Sequence, residues 1–302
     1  MNRYIVNTGW KMDPGPKPYI AYMSKEITSP KIIELNVNSP ITIKVAANEP
    51  KFCIGFTNDD REHVPCPFAE LIPLNKVQCQ SCSFNEFFVC RSYCIGEFCQ
   101  PSSETAKDHC WNTTANVYLT YIAGKLKVGS STSTIRRLID QGSIAGIKIA
   151  IGTGLDPRAL EHQIATRFSL PLAIRMSQKF KFLGVPINKD DIVQLFSTTI
   201  DEIYSSIKSD ILIPKDQLEK IRFFDEYYGN IPTLKGRPLI KELTSDGLEI
   251  SGEIVGVQGS ILVVKNNETY FATNLNSIVG LHLDLKEEVI EMKGQKSLFD
   301  FV

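Results

Sequence analysis

No stretch of this 302-residue chain approaches the ~20 consecutive apolar residues of a membrane-spanning helix, so no membrane association is expected. The opening MNRYIVNTGWKMDPGPKPY lacks a basic region followed by an apolar run and a cleavage site, so no secretion signal is read there. Net charge is almost absent too: 33 Lys and Arg against 34 Asp and Glu leave −1, an ordinary globular balance. Internal repeats and low-complexity tracts are missing, and cysteine is missing everywhere except between Cys53 and Cys110. These absences point to a cytoplasmic protein with reduced thiols, where clustered cysteines suggest metal before disulfides. What is present, 43% hydrophobic residues over this length, suffices for two or three cores.

Extended segments broken by proline (DPGPKP, NSPITIKV) fill residues 1–50, with alternation in ITIKV marking a strand. Residues 51–112 are loop-rich. NVYLTYIAGKLKVGSS reads as a β-hairpin turning at AGK. TSTIRRLIDQG reads as a short helix stopped by Gly142, and IKIAIGT as a buried strand. In LDPRALEHQIATRF the pattern predicts a helix with Asp156 as N-cap and Pro157 at its first position. NKDDIVQLFSTTIDEIYSSIK puts Ile192, Phe196, Ile200, Ile203 and Ile207 on one helical stripe, and PKDQLEKIRFFDEYYG predicts a second helix from Pro214 to Gly229. From LEISGEIVGVQ onward the period changes to two, predicting a small β-barrel or sheet.

Eight cysteines (Cys53, Cys66, Cys79, Cys82, Cys90, Cys94, Cys99, Cys110) crowd this loop-rich segment. CQSC is a knuckle whose turn aims two thiolates at one tetrahedral ion, while CRSYC and CIGEFC are looser pairs. The simplest grouping is two structural Zn²⁺ sites, one on Cys53, Cys66, Cys79 and Cys82 and one on Cys90, Cys94, Cys99 and Cys110. His63 and His109 are alternative ligands, and unligated buried thiols are the plainer reading.

The near-zero net charge hides an asymmetry. Ten Lys and Arg lie between Tyr118 and Ile187 against three acids, a local +7. Charge alone leaves a solvated basic face and a phosphate-binding surface equally open. Within this segment VYLTYI, KVGSS, IRRL and then Glu161 follow in order. Arginine to hold a phosphate, a carboxylate for Mg²⁺ and a phenol or amine to move a proton suit phosphodiester chemistry. Each residue also has a plainer reading: Tyr118 and Tyr121 as sheet aromatics, Arg137 paired with Asp140, Glu161 paired with Arg158.

This order resembles the GIY-YIG nuclease superfamily. NVY stands where the first motif does, with Tyr118 at its tyrosine; KVG stands for the second, with Gly129 at its glycine and Lys127 in place of its tyrosine. Arg137 in RRL matches the arginine of the first helix, and Glu161 in PRALEHQI matches the metal-binding glutamate. CIGF, HVPCP, QCQSC, VYLTYIAGKLKVGSS, RRLIDQGS, PRALE and GVQGSILVV together are similar to an uncharacterised prokaryotic family. That family joins a cysteine-rich zinc region to a GIY-YIG-like domain and a β-rich end. The resemblance implies a Mg²⁺-dependent DNA endonuclease with Tyr118, Lys127, Arg137 and Glu161 as catalytic residues and Glu161 as the Mg²⁺ ligand.

The final residues, QKSLFDFV, carry apolar side chains where a terminus ordinarily has polar ones. In one helical turn Leu298, Phe301 and Val302 share a face, with Gln295 offering an amide at its side. The pattern resembles the sliding-clamp (PCNA)-binding peptide of archaeal and eukaryotic replication and repair proteins, with Val302 replacing the usual second aromatic. A tail packed on its own domain is the alternative.

The expected fold class is therefore α+β. Its parts are an N-terminal β-rich segment (1–50), a zinc-binding loop-rich region (51–112) and a GIY-YIG-like small mixed sheet with flanking helices (113–187). A helical region (188–232), a β-rich module (236–286) and the clamp-binding tail (293–302) complete it. The expected function is a DNA endonuclease brought to DNA by the clamp in repair or replication, with a non-catalytic DNA-binding adaptor as the alternative.

Overall fold

Strands with a single apolar face leave unpaired N–H and C=O groups along their edges, and the two ends of this chain satisfy that need together. A computed structural model of the chain describes residues 2–24, 27–88, 90, 94–96 and 99–292. The N-terminal part contributes strands β1 (Asn2–Lys11), β2 (Lys17–Ser24), β3 (Ile27–Glu34) and β4 (Pro40–Val45). The cysteine-rich part has β5 (Phe56–Thr57), β6 (His63–Val64), α1 (Gln80–Asn85) and α2 (Glu104–Asn112). Next come β7 (Thr114–Ile122), β8 (Lys125–Ser131), α3 (Thr134–Gln141), β9 (Ala145–Thr153), α4 (Asp156–Arg167), α5 (Met176–Lys181) and α6 (Lys189–Ser206). The remainder has β10 (Arg222–Phe223), β11 (Leu239–Ile240), β12 (Leu248–Gln258), β13 (Ile261–Asn266), β14 (Thr269–Asn274) and β15 (His282–Lys286). The architecture is mixed α and β, with several sheets, few helices and a cluster of cysteines.

One nine-stranded sheet runs β11-β14-β13-β12-β4-β15-β1-β2-β3. Ile43 of β4 sits between Ile250 of β12 and Leu285 of β15, so the first 45 residues interleave with strands from the last third of the chain. Residues 1–50 and 236–286, separate segments in the sequence, thus share a sheet, and everything between β4 and β11 is an insertion into it. Past β15 the chain is tied down by three buried polar side chains. Thr42 Oγ1 donates to Glu288 O (2.7 Å), Ser251 Oγ accepts from Ile290 N (2.7 Å), and Asn266 bonds Ile290 O and Met292 N.

The second sheet, β10-β9-β7-β8, is small. A mixed sheet was expected, but every pairing in it is antiparallel, because β8 and β9 both flank β7 and run against it. The β7–β8 turn is Ala123–Gly124, both at positive φ, which matches the twist of a two-residue hairpin. Gly142, at φ 76°, closes α3 with its N–H on Ile139 O. The stripe of α6 is buried as its period predicts, at Ile192, Phe196, Ile200 and Ile203, with Ile207 as C-cap.

Two local expectations are corrected. Leu155, not Asp156, caps α4, and Asp156 and Pro157 occupy its first turn, a one-residue shift at a terminus. Residues 214–229 do not form a helix: two 3₁₀ turns flank β10, which adds to the edge of β9. Phe224 N bonds Ile144 O and Tyr228 Oη donates to Ser143 O, so tertiary pairing and burial override the helical pattern. The large sheet meets the small-sheet unit where Gln258 of β12 donates to Gly142 O (3.0 Å) and Trp10 of β1 packs edge-on against Tyr228. No helix among the described residues is long and apolar enough to cross a membrane.

Candidate functional site

The cysteine-rich region has little apolar material to fold around: Cys53, Cys79 and Cys82 are buried, with Phe56, Cys66 and Ile72 packed against them. The Sγ atoms of Cys53, Cys66, Cys79 and Cys82 lie within 4.8 Å of one another, and all four thiols are free. Thiolates bound to one tetrahedral zinc at about 2.3 Å stand about 3.8 Å apart, so this donor set fits a zinc ion. The knuckle supports it: Cys79 caps α1 by accepting from Cys82 N, while Cys53 Sγ accepts from Cys79 N (3.2 Å) and Gly55 N (3.4 Å). Such N–H donors stabilise thiolate charge. Burial raises the Cys66 thiol, but backbone bonds from Glu70 and Phe68, with Cys53 and Cys82, outweigh it and hold it at about 7. Burial pushes the Cys79 and Cys82 thiols up.

Among the described residues this is the one group of three or more such ligands so closely gathered, and it includes neither His63 nor His109. His109 instead lies against the Phe87 ring, with Nδ1 near Arg61 Nη2. Cys90, Cys94, Cys99 and Cys110 are half-buried and close enough to interact: burial and then the charges of the other three push Cys90 up to about 11.

The second site forms on one face of the small sheet. Tyr118 on β7 is directly opposite Gly129 on β8, and Thr120 is opposite Lys127. A Cβ at position 129 would come within 2.5 Å of the Tyr118 hydroxyl, so glycine is there to make room for the phenol. Lys127 Nζ lies 5.5 Å from the centre of the Tyr118 ring. Gln141 at the end of α3 donates to Tyr118 Oη (3.3 Å), and Lys179 of α5 donates to Gln141 O (2.9 Å). Glu161 of α4 is 9% exposed, and its Oε2 accepts from both Ser130 Oγ and Arg158 Nη1, the latter at 3.0 Å.

These groups act on one another electrically. Burial pulls the Lys127 amine down to about 8; Glu161 opposes the shift, while Arg137, Lys179 and Arg158 deepen it. Burial raises the Tyr118 hydroxyl against the Arg137 charge and the Gln141 bond. Lys179 is lowered by burial and by Arg137. Lys127 therefore has Arg137, Arg158 and Lys179 within electrostatic reach and Glu161 as its one carboxylate, an excess of positive charge at a buried amine, with Arg137 and Arg158 themselves exposed.

Tyr118, Lys127, Arg137 and Glu161 thus come from four elements into one neighbourhood. The Arg158–Glu161 pair is present as its i,i+3 spacing allows, whereas Asp140 pairs with Arg136 (3.6 Å). Ser130, Gln141 and Lys179 were not singled out from the sequence. Ser130 and Gln141 fall inside KVGSS and RRLIDQGS without a role read for them, Lys179 carries no motif, and only the packing of α3, α4 and α5 about the hairpin brings the three to Tyr118 and Glu161. Gln295, Leu298, Phe301 and Val302 lie outside the described residues. No protein-family model, no curated protein and no solved structure matches this chain.

Proposed function

We propose that the chain is a zinc-containing, GIY-YIG-like DNA endonuclease that hydrolyses phosphodiesters and is held at DNA by the sliding clamp in repair or replication. The observation that carries this reading is the charge cluster at Lys127: three further cations, Arg137, Arg158 and Lys179, and the single carboxylate Glu161 act on a buried amine beside a buried phenol. Such an excess of cations, with Arg137 and Arg158 exposed to an incoming ligand, favours an oxyanion, and phosphodiester oxygens are the anions of nucleic acid. Arg137 takes the phosphate. Lys127, whose amine loses its proton near 8, accepts the proton of the water that forms the new P–O bond as the bridging P–O bond breaks. Tyr118 stays a neutral phenol, suited to donating a hydrogen bond rather than removing a proton. Zinc on both cysteine quartets is structural, since protein thiolates fill its positions.

A non-catalytic adaptor is the second reading, favoured by Lys127 in place of the second motif tyrosine and by the engagement of Glu161 with Arg158 and Ser130. Flap, nicked and branched DNA with and without Mg²⁺ separates the two. Glu161→Gln is expected to abolish Mg²⁺-dependent cleavage while DNA binding survives; Arg137→Ala is expected to weaken both. Wild-type protein that binds this panel and cuts none of it establishes the adaptor.

The clamp assignment rests on the pattern of Gln295, Leu298, Phe301 and Val302. Truncation before Gln295 is expected to abolish clamp binding and leave the melting temperature unchanged. Phe301→Ala removes more than about 2 kcal/mol of binding, as a buried aromatic anchor does, and Val302→Phe tightens it. Calorimetry of the tail peptide against the clamp measures this; a drop of several degrees on truncation assigns the tail to its own domain instead.

A further inference from the structure

A cavity of about 260 Å³ lies where the end of β7, α5, α6 and the start of β13 come together. Ile144, Ile192 and Ile261, all buried, wall it, and the rings of Tyr121 and Phe182 line it with them. That volume is just under the ~300–1,000 Å³ of sites for drug-sized ligands, so it has room for one ring system. Two of its polar lining residues also belong to the site at Tyr118. Gln141 Nε2 donates to Tyr118 Oη (3.3 Å), and Lys179 Nζ donates to Gln141 O (2.9 Å), so the cavity and the cation cluster share a wall. Gln141 Oε1 is buried without a partner, an acceptor that a ligand N–H would satisfy. Lys179 gives one of its three N–H donors to Gln141 and keeps two. Phe182, unlike the walls, is 38% exposed and offers an aromatic ring to a ligand arriving from solvent.

We propose that this cavity takes an unpaired nucleobase, carried by the nucleotide next to the phosphate that Arg137 holds. This rests on the phosphate-binding reading above and adds to it a substrate class: DNA with an unstacked, unpaired base beside that phosphate, as in a single strand, a flap or a branch. A base is a single flat ring system with apolar faces, which suit the isoleucine walls and the Phe182 ring. Its edge carries N–H donors and acceptors, which suit Gln141 Oε1 and the free protons of Lys179. A base in a duplex must first leave its stack and its pair, so the cavity selects against intact duplex.

The test uses full-length zinc-loaded protein without Mg²⁺, so that nothing is cut, and two single-stranded probes of equal length and charge. One is oligo-dT; the other has the same phosphates on abasic tetrahydrofuran units. Fluorescence anisotropy reads both affinities. Wild type is expected to bind oligo-dT about tenfold or more tightly than the abasic chain, the ordinary size of one base stacked on an aromatic ring. Phe182→Ala removes that ring, and Leu195→Trp adds bulk to the lining from a position that is 41% exposed. Both variants are expected to lose the preference for oligo-dT and to keep the affinity of wild type for the abasic chain, whereas Phe182→Tyr keeps the preference. Unchanged melting temperatures show that the variants are folded. Equal affinity of wild type for the two probes, or a preference that survives in both Phe182→Ala and Leu195→Trp, overturns the base pocket. The abasic chain separates the two failures: if neither probe binds, the phosphate-binding reading falls as well, whereas equal binding of both removes only the pocket.

Discussion

Cys79→Ala is expected to lower the zinc content by one ion per chain and to open residues 51–88 to proteolysis. The residue has three parts in the fold: a ligand of the quartet, the cap of α1, and a backbone donor to Cys53 Sγ. The core around it is only a few side chains. Structural zinc in small finger peptides contributes about 10–16 kcal/mol, far more than so small a core supplies. The nine-stranded sheet is expected to persist, because its strands come from residues 2–45 and 239–286. Elemental analysis and limited proteolysis measure both effects. A wild-type protein without zinc, its eight thiols all reactive in the native state, would falsify the metal assignment.

Lys127→Met is expected to make the protein more stable at pH 7 and to abolish cleavage. Below pH 8 this lysine is protonated in both folded and unfolded chains, and the fold bears a buried cation. With its amine displaced from 10.5 to about 8, the cost is about 3 kcal/mol, which methionine removes. Between pH 8 and 10.5 the unfolded chain keeps a proton that the folded one has released. Wild-type stability therefore rises with pH relative to the variant, and the advantage of methionine fades to nothing above that window. Denaturant unfolding of both proteins at pH 7, 9 and 10.5 reads this directly. A variant less stable than wild type at pH 7 assigns Lys127 a net stabilising partnership with Glu161. In the wild type, cleavage is expected to climb about tenfold per pH unit up to about 8 and then level off, the signature of a base with that pKa.

Much of the local structure was legible in the sequence. The hairpin turn within AGK, the stop of α3 at Gly142 and the buried stripe of α6 each depend on neighbours a few positions away. The grouping of Cys53 and Cys66 with the CQSC knuckle coincides with the quartet of neighbouring thiols, since a knuckle has a fixed geometry and needs two more ligands. What the tertiary structure decided is everything that depends on which edges and faces remain to be covered. Nothing local pairs Ile43 with Ile250, makes residues 222–223 an edge strand of β9, or gives Asp140 to Arg136 rather than to Arg137. Nor does any spacing place Lys179 and Gln141 beside Tyr118. Periodicity reports the face a residue presents within its own element; the partner of that face is set by burial and backbone pairing across the whole chain.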